Sequence, residues 1–262
     1  MENNIDFLQH NQAAWNEQAS QQREWSKPVT AEQTKAAKLG DWEVHLTPSP
    51  LDKKWLGDIS GKKILCLASA GGQQAPILAA AGGIVTVFDL SDEQLKMDEM
   101  VAQRDGISLE TVRGDMTDLS VFADDSFDIV FHPISNHYVE HVEKVWSESY
   151  RVLRKGGILL ASFFNPVVFV ADRNPEDRKN GIMRPKYKLP YADIKDLSQT
   201  EIEGKLERNE ALVFGHSLQS LLGGQMKAGF VITDYFEEDQ PNPRFLIDEF
   251  LPTFIATRAL KM

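Results

Sequence analysis

Residues 64–72 read ILCLASAGG, an apolar run that leads into small residues and a glycine pair. The run from Ile64 to Leu67 is typical of a buried strand, and small residues directly after it let the backbone approach a ligand closely. The next segment, residues 73–82 (QQAPILAAAG), predicts a helix whose Pro76 lies in the first turn, where a missing N–H costs little. Taken alone, the glycine pair also fits an ordinary turn.

Strands and helices keep alternating after this stretch. Ser91 predicts the N-cap of a helix over residues 91–106. Apolar residues at spacings of three and four predict another helix from Tyr138 to Leu153, ended by residues 155–157 (KGG), and a further helix is predicted over residues 216–229. Apolar or alternating runs predict seven strands, at residues 62–68, 83–90, 107–114, 126–133, 158–166, 231–236 and 250–260.

This alternation predicts a doubly wound α/β domain over residues 56–262, with a seven-stranded, mostly parallel sheet between two helical layers. No helix is evident between residues 236 and 251, so the last strand is expected to run antiparallel to the others, which requires no crossover helix. Residues 166–215 are charged and rich in proline, without periodicity. A connection of that length is usually functional or mobile.

Residues 1–55 are polar, with a short helix predicted over residues 30–39. Aromatic residues often fill a core, but polar surroundings favour a segment folded over the open end of the sheet. We therefore predict two lids over a ligand, residues 1–55 and the inserted cap 166–215, with His45 within reach of the same site. Four tryptophans of the first segment could serve as core or lid residues: Trp15, Trp25, Trp42 and Trp55.

The composition of the 262 residues excludes several classes of protein. A formal net charge of -11 argues against a broad contact with nucleic acid or anionic membrane, because both require a basic surface. The basic run at residues 184–188 is more typical of a solvated loop. Cys66 is the single cysteine, so no intrachain disulfide is possible. With neither a secretory signal nor a long apolar stretch, these features favour a cytoplasmic protein.

Three successive strand ends carry candidate binding residues. In an open parallel sheet, ligands bind beyond the carboxyl ends of the strands. The first strand leads into residues 68–73 (ASAGGQ), the second ends in Asp89, and the third leads into Asp115. Asp89 alone could cap the helix that begins near Ser91, and Asp115 alone could be a turn residue. Together, a small-residue loop and two acids in these places predict a pocket for a nucleoside.

At this point the sequence resembles the class I S-adenosylmethionine-dependent methyltransferases, in their small-molecule-type branch. The likeness runs from about Leu65 to Leu260, and it implies a Rossmann-like fold. The first motif of the family, an acid followed by Gly-x-Gly-x-Gly, matches Cys66 through Gly72. Further segments resemble the family's later motifs: 89 (the ribose-binding acid), 114–116 (GDM), 126–130 (SFDIV), 151–157 (RVLRKGG) and 254–259 (FIATRA).

The resemblance implies S-adenosyl-L-methionine as cofactor, with its sulfonium end over the first loop and its adenosine end at Asp89 and Asp115. Ala68 and Ala70 stand where the family usually has glycine, and they keep the close approach if their φ angles are negative. Cys66 stands where the family has an acid, so Cys66→Asp is expected to tighten binding of the methyl donor. The implied cofactor-binding residues are Ala68, Ser69, Ala70, Gly71, Gly72, Gln73, Asp89, Leu90, Gln94, Asp115, Met116, His132 and Pro133.

Residues 131–141 (FHPISNHYVEH) carry the candidate catalytic groups. Methyl transfer mainly requires alignment, and a base is required only when the acceptor must lose a proton early. Histidine titrates near neutrality, so His132, His137 and Tyr138 are the catalytic candidates. Ordinary roles as caps or surface residues stay open for this stretch. His137 and His141 are spaced to share a helical face, but no further ligands with metal-site spacing accompany them, and no metal is expected.

Three functions remain open from the sequence. The first is a methyltransferase that acts on a small-molecule acceptor by direct displacement. The second is a protein that binds S-adenosylmethionine or S-adenosylhomocysteine without catalysis, since the variant first motif could signal lost activity. The third is a nicotinamide-dependent oxidoreductase, which the adjacent glycines disfavour because the loop lacks Gly-x-Gly-x-x-Gly. The oligomeric state is not predicted.

Overall fold

The structure, a computed structural model, describes residues 5–23, 26–172 and 174–262. Its nine helices within those ranges are α1 (Phe7–Ser20), α2 (Ala31–Lys38), α3 (Gln74–Ala80), α4 (Asp92–Asp105), α5 (Val142–Val152), α6 (Pro175–Lys179), α7 (Asp193–Asp196), α8 (Gln199–Glu207) and α9 (Gly224–Ala228). The strands of the same ranges are β1 (Lys63–Leu67), β2 (Ile84–Asp89), β3 (Leu109–Arg113), β4 (Phe127–His132), β5 (Leu153–Phe164), β6 (Tyr191–Ala192), β7 (Phe214–Gly215), β8 (Phe230–Glu238) and β9 (Phe254–Lys261).

Seven strands form one sheet in the order β3-β2-β1-β4-β5-β9-β8. The pairs β1–β2, β2–β3, β1–β4 and β4–β5 are parallel, whereas β9 runs antiparallel to both β5 and β8. The predicted seven-stranded, mostly parallel sheet with an antiparallel last strand is therefore confirmed. The strand order reverses at β1, so the crevice of such a fold lies beyond the carboxyl ends of β1 and β4.

Alternate side chains of β1 enter the two apolar layers of the sandwich. Ile64 and Cys66 pack into one buried cluster, which also takes in Val44, Leu46 and other residues of the N-terminal segment. Leu65 and Leu67 belong to a second cluster on the opposite face, formed largely by α5. The loop that follows β1 is thus anchored by a strand that is buried on both faces.

Helix α5 begins later than the sequence predicts. The structure has a short 3₁₀-helix over Asn136–Tyr138, an extended Val139, and an α-helix only from Val142. The helix ends at Val152 because Leu153 is extended and pairs with Phe127 of β4. The predicted helix from Tyr138 to Leu153 is therefore too long at its N-terminus, and residues 155–157 belong to β5 instead of a turn.

The two predicted lid segments carry their own secondary structure. The N-terminal segment contributes α1, which the sequence pattern did not predict, and α2, which starts at Thr30 with a reciprocal capping box to Gln33. The segment after β5 contributes α6, α7, α8 and the two-stranded β6–β7 sheet. A third apolar cluster, around Phe169, Tyr191 and Ile247, packs beneath this insertion.

Candidate functional site

A cavity of about 230 Å³ lies at the carboxyl edge of the sheet. Lid residues that contribute to its wall include Leu8, Trp15 and His45, and Phe254 and Arg244 contribute from the far end of the sheet. Most of the residues singled out in the sequence line it: Ala68, Ser69, Ala70, Gln73, Asp89, Leu90, Gln94, Asp115, Met116, Pro133, His137 and Tyr138. The structure therefore brings the three strand ends together around one space.

Asp89 and Asp115 both line the cavity. Both also form the local hydrogen bonds that are expected of a capping residue or a turn residue. Asp89 Oδ1 accepts from the Ser91 N–H at 2.8 Å, while the two oxygens of Asp115 accept from the Thr117 N–H at 2.9 Å and its hydroxyl at 2.7 Å. Burial raises the pKa of Asp89 to about 6, although the N–H groups of Ser91 and Leu90 oppose the shift. A carboxylate has about four lone-pair sites, so both acids keep capacity for a ligand.

The first loop has the backbone of a glycine motif without two of its glycines. Ala68 has φ +47° and Ala70 has φ +65°, and Gly72 follows with φ +72°. The condition of negative φ angles at the two alanines is therefore not met. Alanine in this left-handed region costs about 1–2 kcal/mol because its Cβ approaches the following carbonyl oxygen. The loop therefore keeps the backbone geometry of a glycine-rich motif, and the two alanines are strained in it.

Gly71 and Gly72 face helix α4, and neither lines the cavity. A Cβ on Gly71 would lie 2.3 Å from the Gln94 carbonyl oxygen, so only glycine fits there. The Gly71 N–H donates to Gln94 Oε1 at 2.6 Å, and the Gly72 N–H donates to Asp98 Oδ1 at 2.8 Å. The structure thus assigns the glycine pair to loop–helix packing, while Ser69, Ala68 and Ala70 meet the cavity.

Asp98 is a buried acid that the sequence reasoning missed. It is fully buried beneath the loop, where burial raises its pKa well above the usual range. Burial also raises the pKa of the Cys66 thiol, and the negative charge of Asp98 adds to that shift. An aspartate at position 66 would therefore add a second buried acid close to the first. We now expect Cys66→Asp to destabilise the loop, contrary to the expectation from the sequence.

Residues 26–29 hold the loop from the N-terminal side. The Val29 N–H donates to the Gly72 carbonyl at 2.8 Å, and Gln73 Nε2 donates to the Lys27 carbonyl at 3.1 Å. Gln94, which accepts from Gly71, also donates through Nε2 to Ser26 Oγ at 2.6 Å. Order in the N-terminal segment and order in the loop are therefore linked.

His132 lies behind the cavity wall. It is fully buried, its Nδ1–H donates to the Leu67 carbonyl at 2.9 Å, and Nε2 is buried with no hydrogen-bond partner in the described ranges. Burial lowers its pKa to about 4, so the ring is neutral at physiological pH. The adjacent Pro133 lines the cavity and His132 does not. This placement corrects the assignment of His132 to proton transfer and suits a residue that joins the ends of β1 and β4.

His137 and Tyr138 face the cavity as part of an aromatic wall. The His137 ring centroid lies 3.9 Å from the Tyr138 ring and 5.1 Å from the Phe164 ring. Trp15 of α1 packs edge-on against Tyr138 with a centroid distance of 5.3 Å. Burial raises the pKa of Tyr138 above its ordinary value, so the phenol stays protonated and can act as a hydrogen-bond donor. His141 begins α5 instead of sharing a helical face with His137.

The tryptophans of the N-terminal segment have different roles. Trp15 lines the cavity, as a lid residue should. Trp55 is buried in the core against Phe236, and Trp42 packs at the edge of the same cluster beneath the Lys53 ammonium. Trp25 lies outside the described residues. His45 lines the cavity as expected, and its backbone N–H donates to Gln74 Oε1 at 2.8 Å.

Among the described residues, no three His, Cys, Asp or Glu side chains come together in a way that could hold a metal ion. No helix within the same ranges is both long and apolar enough to cross a membrane.

Comparisons with known proteins agree with this architecture. The family model described as a methyltransferase domain matches residues 65–161. The chain is 45% identical over 257 residues to an uncharacterized methyltransferase, YbaJ, of Bacillus subtilis (strain 168), covering 98% of this chain and 99% of that protein. It is 36% identical over 111 residues to a demethylmenaquinone methyltransferase of Clavibacter sepedonicus, covering 42% of this chain and 44% of that one.

A solved structure shows the same fold. The S-adenosylmethionine-dependent methyltransferase of Mesorhizobium loti superposes with a TM-score of 0.60 at 19% identity, over 79% of this chain and 94% of that one. The sheet order, the loop after β1 and the two acids agree with this family, and the alignment with the full-length relative covers 98% of the chain. The chain belongs to the class I S-adenosylmethionine-dependent methyltransferases.

Proposed function

We propose that this methyltransferase transfers the methyl group of S-adenosylmethionine directly to a small-molecule acceptor held in the cavity that the N-terminal lid segment helps to line. The observation that carries the proposal is the polarity of one cavity. Its carboxylates, Asp89 and Asp115, lie at the ends of β2 and β3, while aromatic side chains line it near β4, β5 and β9. A nucleoside end and an apolar acceptor end can therefore share the same space.

The residues present fit the cofactor. Ser69 Oγ is buried at the cavity lining and has no hydrogen-bond partner among the described residues, so it can bond the amino-acid end. Asp89 would accept from the ribose hydroxyls, with Leu90 beside it. Asp115 would accept from the adenine amino group, and Met116 would pack on the ring. Gln73 and the strained Ala68 and Ala70 would border the sulfonium end.

Bound S-adenosylmethionine supplies a methyl group on a positively charged sulfur. The chain must align the acceptor with that methyl and exclude water, and alignment alone can account for much of the rate enhancement. Leu8 and Trp15 of α1 and Phe254 of β9 supply apolar wall to this cavity. His137 lies in the same wall and could take a proton from an acceptor that ionises during transfer. Tyr138, held protonated, would orient the acceptor as a donor.

A small acceptor suits both the lids and the charge of the protein. The net charge of -11 disfavours nucleic acid as acceptor, and an enclosed apolar space disfavours a folded protein. The partial relative from Clavibacter sepedonicus is named for demethylmenaquinone, which is neither a nucleic acid nor a protein. Residues 1–55 would then act as an acceptor-enclosing lid on a methyltransferase domain of residues 56–262. No described residue of the predicted cap 166–215 lines the cavity, so this segment would act on the acceptor indirectly, through its contact with α1.

Labelled methyl transfer tests the proposal. The protein would be incubated with S-adenosylmethionine carrying an isotopic methyl label and an extract separated into small molecules, protein and nucleic acid. We expect label in the small-molecule fraction, and little with Asp89→Ala. Label in protein or nucleic acid would contradict a small acceptor. Binding of S-adenosylhomocysteine without label in any fraction would favour a non-catalytic binding protein.

A further inference from the structure

Arg244 lines the cavity from the β9 side of the sheet, whereas Asp89 and Asp115 line it from the ends of β2 and β3. It belongs to the connection between β8 and β9, and β9 lies on the other side of β1 from β2 and β3 in the sheet. Its guanidinium carbon is 5.1 Å from the Phe164 ring centroid and 5.8 Å from that of Phe245. Stacking on two rings fixes the direction of the charged group.

The Arg244 cation has no carboxylate partner among the described residues. Several arginines of this acidic chain are paired with acids, including Arg104 with Asp105 at 2.6 Å and Arg151 with Glu148 at 2.8 Å. Arg244 instead meets the neutral amide of Gln240, whose oxygen, in the orientation that satisfies both groups, accepts from Nε at 3.0 Å and Nη2 at 3.3 Å. Its positive charge is thus held in place without being neutralised by the described part of the chain.

The charge acts on the acceptor end of the cavity. Arg244 and Tyr138 line the same cavity, and the positive charge of Arg244 opposes the effect of burial, which raises the pKa of Tyr138. The carboxylates that line the cavity lie at the adenosine end and do not compensate it. The cavity wall that Arg244 shares is aromatic, with the rings of Phe164 and Phe254 5.4 Å apart between centroids and inclined at 34°.

We propose that the methyl acceptor has a flat apolar body and one anionic group, and that Arg244 binds the anionic group and so points the other end of the molecule toward the first loop. This inference rests on the proposed function, because it concerns the same cavity. A planar guanidinium pairs best with a carboxylate, which it can bind through two parallel hydrogen bonds. Arg244 is then a specificity-determining residue for the acceptor.

Matched neutral and anionic probes test this assignment. Calorimetry would first measure binding of S-adenosylhomocysteine. The saturated complex would then be titrated with para-hydroxybenzoate, para-hydroxyphenylacetate and para-hydroxyphenylpropionate, each beside its primary amide. We expect at least one carboxylate to bind roughly tenfold more tightly than its amide, an advantage that Arg244→Gln abolishes and Arg244→Lys retains in part. Lys227→Gln, which removes one positive charge from the exposed face of α9, is the matched control and should keep the preference.

The outcomes distinguish a failure of the proposed function from a failure of the role assigned to Arg244. If S-adenosylhomocysteine does not bind, the proposed function fails and this inference fails with it. If it binds but the amides bind as tightly as the carboxylates, or no carboxylate binds, the cofactor assignment survives and the role of Arg244 is refuted. A preference that survives Arg244→Gln, or that Lys227→Gln removes equally, also refutes it, since the anion would then respond to general charge.

Discussion

Asn11 of α1 bonds both backbone groups of Leu212. Its Oδ1 accepts from the Leu212 N–H at 2.8 Å, and its Nδ2 donates to the Leu212 carbonyl at 2.9 Å. Asn11 is 2% exposed and Leu212 is fully buried, so this contact joins the N-terminal segment to the insertion in a water-poor place. The N-terminal segment and the insertion therefore meet at Asn11, whose side chain pairs with the Leu212 backbone as a neighbouring strand would.

Replacing Asn11 with alanine should loosen both lids. The change removes two buried hydrogen bonds and leaves the Leu212 N–H and carbonyl unpaired, at a cost of about 2 kcal/mol or more. Hydrogen exchange of α1 and of residues 210–214 should speed up by roughly thirtyfold, while exchange of β1 and β4 stays slow. His10→Ala, which removes an exposed bond to the Glu210 carbonyl, is the control and should change exchange little. Equal protection in Asn11→Ala and the native chain would contradict the lid contact.

Glycine at position 70 should stabilise the protein. Ala70 has φ +65°, and relief of its strain outweighs the added freedom of glycine in the unfolded chain, for a net gain of roughly 0.5–1 kcal/mol in the free energy of unfolding. Urea unfolding measures the change. Ala79→Gly, within helix α3, should instead lose about 1 kcal/mol. A loss of similar size at both positions would show that Ala70 is unstrained.

Asp98→Asn should flatten the dependence of stability on pH above the ordinary pKa of an aspartate, about pH 4. Burial raises the folded-state pKa of Asp98, so the stability it confers is present below the unfolded pKa and is lost as pH rises through the folded pKa. Asparagine keeps an oxygen for the Gly72 N–H and does not ionise. Unfolding by denaturant from about pH 5 to about pH 8 should show a decline in the native chain and a smaller one in the variant. Parallel curves would mean that the folded-state pKa of Asp98 is not raised.

The affinity for S-adenosylhomocysteine should fall as pH drops through about 6. Asp89 must be ionised to accept strongly from ribose hydroxyls, and burial raises its pKa to about 6. Binding at pH 5 should therefore be roughly tenfold weaker than at pH 7. Asp89→Asn should bind weakly at both values, without that dependence. A native affinity that is flat across this range would remove Asp89 from the ribose site.

Most of the sheet could be predicted from the sequence because its strands have strong local patterns. The apolar runs of β1, β2, β4 and β5 and the missing crossover before β9 follow from the sequence alone. Helix α1 was not found, because its apolar residues, such as Phe7 and Trp15, are sparse among polar ones. The start of α5 was misplaced because tertiary contacts decide it: the Tyr138 carbonyl meets Asn11, and the Asn136 carbonyl meets His216.

The site was only partly readable. Asp89 and Asp115 follow strands, so sheet topology places them together. Arg244 and Asp98 carry no such signal, since one comes from an irregular connection and the other from the buried side of a helix. The backbone angles of Ala68 and Ala70 could not be predicted either. The loop keeps its geometry through hydrogen bonds that its N–H groups donate to Gln94 and Asp98, and sequence spacing does not reveal these bonds.

The most direct test of the cavity as the cofactor site is calorimetry with S-adenosylhomocysteine, with NAD as the competing dinucleotide, on the native chain and on Asp89→Ala. The account predicts binding of one S-adenosylhomocysteine per chain, no binding of NAD, and an affinity at least tenfold lower in Asp89→Ala. Binding of NAD without S-adenosylhomocysteine, or an affinity that Asp89→Ala leaves unchanged, would contradict it.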